Sequence, residues 1–108
     1  MPINVIRGGR DPIVDEIVEA MGAFLTDHPS ARIDLYRQDP VSVRVRVIDA
    51  AFSGLGKAER SRLIWRRYLG GLSDDAQSDI STMTLLAPEE ISRSVANLDF
   101  EDALPLER

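Results

Sequence analysis

Few side chains in this chain could do chemistry. Gly54-Leu55-Gly56-Lys57 is the first suspect, because a glycine-rich turn ahead of a lysine can cradle phosphate. That motif needs a glycine five residues before its second glycine and Ser or Thr after the lysine. Ala51 and Ala58 stand at those places, so phosphate cradling of that kind is rejected. The glycines read more simply as a tight turn from a strand into a helix. His28 is the single histidine and could in principle act as a base. It precedes Pro29 at the end of a helix, where a cation or a hydrogen bond to a carbonyl is favourable, and a structural role fits it better. Asp74, Asp75 and Asp79 could offer oxygens to a hard cation. No calcium-loop spacing accompanies them and no base stands with them, so they read as solvated carboxylates. Cysteine is absent, which removes thiolate nucleophiles, disulfides and cysteine metal sites. No Ser-His-Asp set can be built beyond His28, and no paired carboxylates announce themselves. No catalytic residue, cofactor site or metal site is therefore expected, and the chain is read as a non-enzyme.

A basic helix is what remains. Residues 31–67 hold nine Lys/Arg against four Asp/Glu, although the whole chain of 108 residues carries a net charge of −5. The acidic total argues against bulk attraction to nucleic acid. Arg60, Arg62, Arg66 and Arg67 fall on more than one helical face, so they cannot all join one patch. Arg44 and Arg46 project from one strand face and extend the patch if that face is open.

The elements that must position these side chains follow from periodicity. Residues 1–10 read as a flexible arm, although Arg7-Gly8-Gly9-Arg10 could form a small anion-binding nest. Asp11-Pro12 suits the start of a helix, with Asp as the cap and Pro at the first helical position. Ile13, Val14, Ile17, Val18, Met21, Phe24 and Leu25 then form one apolar stripe, and Pro29 ends it. Strands are expected over residues 31–37 and 41–49, joined by Gln38-Asp39-Pro40. Val41, Val43, Val45 and Val47 share one face of the second strand, and Ser42, Arg44, Arg46 and Ile48 share the other. The pair reads as an antiparallel hairpin with a dry face and a wet one. The first helix supplies the roof for the valine face.

A second helix is expected over residues 57–69, with Leu63, Ile64 and Tyr68 inward and Gly70-Gly71 ending it. Residues 72–78 form a loop or one more turn capped by Ser73. A third strand runs from Asp79 to Ala87, and Pro88-Glu89-Glu90 opens a last helix to about Ala96. Residues 97–108 read as an acidic, mobile tail, leaving 11–96 as a single domain. The expected fold is α+β, an α-β-β-α-β-α two-layer sandwich with helices on one face of a three-stranded sheet. At 44% hydrophobic the chain can bury a core. No apolar run approaches the roughly 20 residues of a membrane span, the N-terminus lacks a signal-like apolar block, and a cytoplasmic location is expected.

On these elements and motifs the chain resembles the BolA-like family. The family tends to show a strand ending in Asp, then Phe-x-Gly, then Glu-Arg-x-Arg, present here as Asp49, Phe52-Ser53-Gly54 and Glu59-Arg60-Ser61-Arg62. One extra residue separates Asp49 from Phe52. A strand running into Thr-Pro-Glu-Glu appears as Leu86-Ala87-Pro88-Glu89-Glu90. The likeness covers roughly residues 11–95, and its motifs are specific by order rather than singly. It implies a fold related to class II KH domains and contact with a monothiol glutaredoxin through a shared iron–sulfur cluster. The departures bear on that role. Ser61 stands where the family usually has histidine, and Asp79 stands at the cluster-ligating histidine. The hairpin loop that can give a further ligand is Gln38-Asp39-Pro40-Val41-Ser42. Carboxylate is a poor substitute for imidazole or thiolate at a soft centre, so ligation of the usual kind is not expected.

The sequence thus implies an adaptor or regulator that works by protein contact, using Arg60, Arg62, Arg66 and Asp79, with a monothiol glutaredoxin as candidate partner and no membrane. The alternative is a nucleic-acid-binding module using Arg44, Arg46, Arg60, Arg62 and Arg66. It lacks the Gly-x-x-Gly clamp of KH domains, since Gly54-Leu55-Gly56 is one residue too short.

Overall fold

A computed structural model of the chain describes residues 3–93. Helix α1 (Pro12–Asp27) begins where Asp11 caps it, its carboxylate accepting from the Val14 N–H at 2.9 Å. Val14, Ile17, Met21 and Phe24, spaced at one helical face, are fully buried. Strands β2 (Arg32–Asp39) and β3 (Ser42–Ile48) form the expected antiparallel hairpin. Ile33 stands opposite Val47 and Leu35 opposite Val45, and all four are buried against α1. Val41 departs from the expected valine face: it sits in the hairpin turn, 70% exposed.

The sheet has four strands rather than three, in the order β1-β2-β3-β4. The added strand β1 (Ile3–Arg7) lies in the segment read as a flexible arm and pairs parallel to β2. Ile3 and Val5 pack against the core and Asn4 does not, a period of two that is too short to stand out in sequence. Gly8 and Gly9 link β1 to α1 with φ of 82° and 69°, which favours glycine. A Cβ on Gly8 would lie 2.7 Å from the Arg37 carbonyl oxygen, so the double glycine is a tight connection and not a leader.

Strand β4 (Ile80–Leu86) runs parallel to β3, with Leu85 opposite Val47. The crossover to it carries helix α2 (Lys57–Ile64), a π-helical turn (Trp65–Leu69) and helix α3 (Asp74–Asp79). The second helix therefore does not continue as α-helix to Leu69. Ile64 and Leu69 are both fully buried, yet residues five apart lie on different sides of an α-helix. The wider turn, closed by Gly70 N–H donating to the Trp65 carbonyl at 2.8 Å, lets both enter the core. Ser73 caps α3 by accepting from the Ala76 N–H. Asp79 closes α3 rather than opening the strand. A 3₁₀ segment (Pro88–Arg93) follows β4, and the expected helix continuing to Ala96 and the acidic tail 97–108 lie outside the described residues.

The chain is thus α+β, with a mixed sheet in which two parallel pairs flank the central hairpin. One hydrophobic cluster joins α1, Ile64 of α2, Leu69 and Ala76 of α3 to the valine face. Among the described residues no helix is long and apolar enough to cross a membrane.

Candidate functional site

Arg60 is the best-anchored cation of the basic helix. It lies one turn into α2, whose start is capped by Glu59 accepting from the Gly56 N–H at 2.9 Å. Its guanidinium donates to both oxygens of Glu90 at 2.6 and 2.8 Å and to the carbonyls of Leu55 and Leu85 at 2.9 Å each. The bidentate bond to Glu90 raises the Arg60 pKa against the opposing effect of burial. Glu90 also accepts from the Ala87 N–H at 3.0 Å. Next to it, the Ser53 hydroxyl donates to Glu89 at 2.7 Å and lowers that carboxyl's pKa. Arg60 therefore fastens the segment after β4 onto α2. At 7% exposed, it offers a partner little more than an edge.

A groove of about 380 Å³ opens beside it, lined by Lys57, Arg60 and Ser61 of α2 and by residues 82–86 of β4. Among the described residues β4 pairs only with β3, so its other edge faces this groove. Lys57 and Ser61 are exposed, four residues apart on one helical row. Arg62 and Arg66 are exposed on another row, turned away from the groove by helical periodicity.

The side chains expected to act together are not all brought together. Arg60 meets the carbonyl of Leu85, near the end of β4, whereas Asp79 directly precedes β4. Six residues of strand separate the two ends by roughly 20 Å. Asp79 instead accepts from Arg37 at 3.2 Å. The nucleic-acid set is broken as well. Arg46 is 1% exposed and bound to Asp34, and Arg44 donates to Gln38 at 2.7 Å. Of its five arginines, Arg62 and Arg66 are the two that stay exposed.

Two polar clusters were missed in sequence. Asp34, fully buried, accepts from Arg46 Nε at 3.0 Å and from Asn4 at 3.0 Å, and Arg32 lies 3.2 Å away. The turn pairs Asp39 with Ser42 and on its own would set Asp34 opposite Val47; a register shift between Arg37 and Asp39 sets Asp34 opposite Arg46 instead, and nothing in the sequence announces that shift. Arg37 binds Asp11 at 2.5 Å as well as Asp79, joining the starts of α1 and β4. That bond lowers the Asp11 pKa, helped by the Val14 N–H, and raises that of Arg37. No local pattern announces it, because the three residues are far apart in the chain. His28 has the structural place expected of it. Its ring stacks on Phe24 at 4.3 Å and its Nδ1 lies 2.9 Å from Asp49 Oδ2. Among the described residues no group of three or more His, Cys, Asp or Glu is placed to hold a metal ion.

Comparison with known proteins gave no match to a family model, a curated protein or a solved structure.

Proposed function

We propose that the chain is a small non-enzymatic module, BolA-like in its sequence motifs, that acts as an adaptor or regulator by protein contact on its α2 side. The observation that carries this reading is the distribution of satisfied cations. Each arginine from Arg7 to Arg60, and Arg67, meets a carboxylate, an amide or an aromatic ring. Lys57, Arg62 and Arg66 are exposed with no partner among the described residues. Lys57 and Arg62 lie on different rows of α2 and Arg66 on the π-helical turn that follows it, in a chain whose net charge is −5. Exposed cations without a carboxylate partner among the described residues fit a surface kept for an anionic partner.

A monothiol glutaredoxin is the partner that the BolA-like resemblance favours, without a shared cluster. Asp79, at the ligand position, is already held by Arg37. Ser61, at the other histidine position, carries no imidazole. The test is titration calorimetry of the protein with a monothiol glutaredoxin, with absorbance read after anaerobic iron–sulfur reconstitution. The expected result is a complex without cluster bands, weakened by charge reversal in Arg62→Glu/Arg66→Glu. Cluster absorbance that needs this protein, or binding indifferent to the reversal, would overturn the reading.

A further inference from the structure

Proteins usually blunt an exposed sheet edge with lysine, proline or a covering element. Strand β4, ISTMTLL, has neither charge nor proline along its length. Its ladder with β3 is irregular only at the start, between Val43 and Arg44, and is regular from Thr82 to Leu86. The opposite edge of the sheet, β1, is broken by a bulge between Val5 and Arg7.

The directions of two carbonyls fix which backbone groups of β4 face outward. Leu86 C=O accepts from Asp49 N–H, on the β3 side, at 2.9 Å. Leu85 C=O accepts from Arg60, on the groove side, at 2.9 Å. Alternate residues of a strand address opposite neighbours. Met83 therefore turns its N–H and C=O, and Leu85 its N–H, into the groove of about 380 Å³. The groove runs along residues 82–86, enough for an added strand of about five residues. An incoming strand would set alternate side chains against α2, over Met83 and beside Lys57 and Ser61. The intervening ones would lie beside Thr82 and Thr84.

Charge selects the occupant. Lys57 has no partner among the described residues and stands at the groove wall. A second copy of this chain would bring one net charge of −5 against another and offer no carboxylate on β4 to meet Lys57. We propose that this groove takes an extended acidic segment of a partner protein as a fifth strand, with main-chain bonds to Met83 and Leu85 and a carboxylate on Lys57. The inference rests on the protein-contact reading and names the chemistry of the partner.

The probe is a fluorescein-labelled peptide of about eight alternating valine and glutamate residues, compared with its valine–lysine counterpart. Fluorescence anisotropy should give the acidic peptide at least about tenfold tighter binding, and Lys57→Glu should abolish that preference. Amide hydrogen exchange at Met83 and Leu85 should slow when the acidic peptide binds. Met83→Pro removes an outward N–H without touching the β3 ladder and should cost about tenfold or more. Should that variant fold poorly, the same peptide N-methylated at alternate residues tests the intact protein and should not bind. Equal binding of the N-methylated or the valine–lysine peptide, or no binding of any of them, overturns the inference. So does a concentration-dependent dimer with protected β4 amides, which would assign the edge to a second copy. A glutaredoxin complex that survives Lys57→Glu and Met83→Pro would leave the protein-contact reading standing while the added strand falls.

Discussion

Both faces of the sheet hold inaccessible side chains at their centre, and they do so for different reasons. On the valine face Ile33, Leu35, Val43, Val45 and Val47 meet the apolar stripe of α1, and their burial follows from the hydrophobic effect alone. On the other face Asp34, Tyr36 and Arg46 are just as inaccessible, at 0%, 3% and 1% exposure. There the strands hold an ion pair, and burial is tolerable only because each group has partners: Asn4, Arg32 and Arg46 surround the Asp34 carboxylate, and Arg7 lies 4.0 Å over the Tyr36 ring. Alternation sorts side chains between two faces. It does not say which of the faces meets water. The apolar face tolerates exchange among shapes, whereas the polar face fails when one member is removed.

The largest expected effect tests that asymmetry. Arg46→Ala leaves Asp34 buried with its main counter-charge gone and should destabilise the protein by about 3–5 kcal/mol in urea unfolding. Asp34→Ala should cost a similar amount. The double variant should cost clearly less than the two singles together, because no lone charge is left behind. Additive losses would break the comparison, since the pair would then not act as a unit. Ile33→Ala, next to Asp34 on β2 but facing the valines, should cost about 3 kcal/mol through lost burial and a cavity. No second substitution on that face should rescue it.

These residues also mark how much the sequence revealed. The apolar stripe of α1, the hairpin and β4 were legible because each repeats at the period of its element, with Asp11-Pro12 and Gln38-Asp39-Pro40 as punctuation. Strand β1 was not, because the alternation of Ile3 and Val5 is brief and the glycines after it resemble a leader. The wet face was misjudged because Arg44 and Arg46 look alike in sequence, and only the register opposite Asp34 separates a buried arginine from a surface one. The candidate site was half legible. The cationic helix could be read from composition, but its division into an anchored Arg60 and exposed Lys57, Arg62 and Arg66 depends on Glu90, which is distant in the chain.

An intermediate effect belongs to the charge cluster between those extremes of burial. Asp11 caps α1 and receives Arg37, which also holds Asp79. Asp11→Ala should cost about 1–2 kcal/mol near neutral pH, mostly as a lost cap. The bond from Arg37 lowers the Asp11 pKa in the fold, below an unfolded value of about 4. A lowered carboxyl stabilises the fold above the unfolded pKa, and that share is lost as pH falls through the folded one. Stability measured below about pH 4 should therefore decline less steeply in Asp11→Ala than in the native protein. Parallel acid limbs would show that the cluster contributes geometry without linkage.

The smallest effect on the fold should come from the same residue type that gives the largest. Arg62 and Arg66 lie on the outer side of α2 and its π-helical turn, exposed, and touch no carboxylate among the described residues. Arg62→Ala/Arg66→Ala should change unfolding free energy by no more than about 0.5 kcal/mol per site, since surface changes away from caps and networks rarely do more. Reversal to Glu should likewise leave the circular dichroism spectrum unchanged. Partner binding should behave in the opposite way, weakening on neutralisation and further on reversal, with the loss shrinking as salt is raised. Arg46 then defines an arginine that the fold needs and no partner can reach, and Arg62 one that the fold ignores. If Arg62→Ala/Arg66→Ala instead lowered stability as much as Ile33→Ala, the outer row of α2 would be part of the protein's own packing, and the cationic surface would lose its claim to a partner.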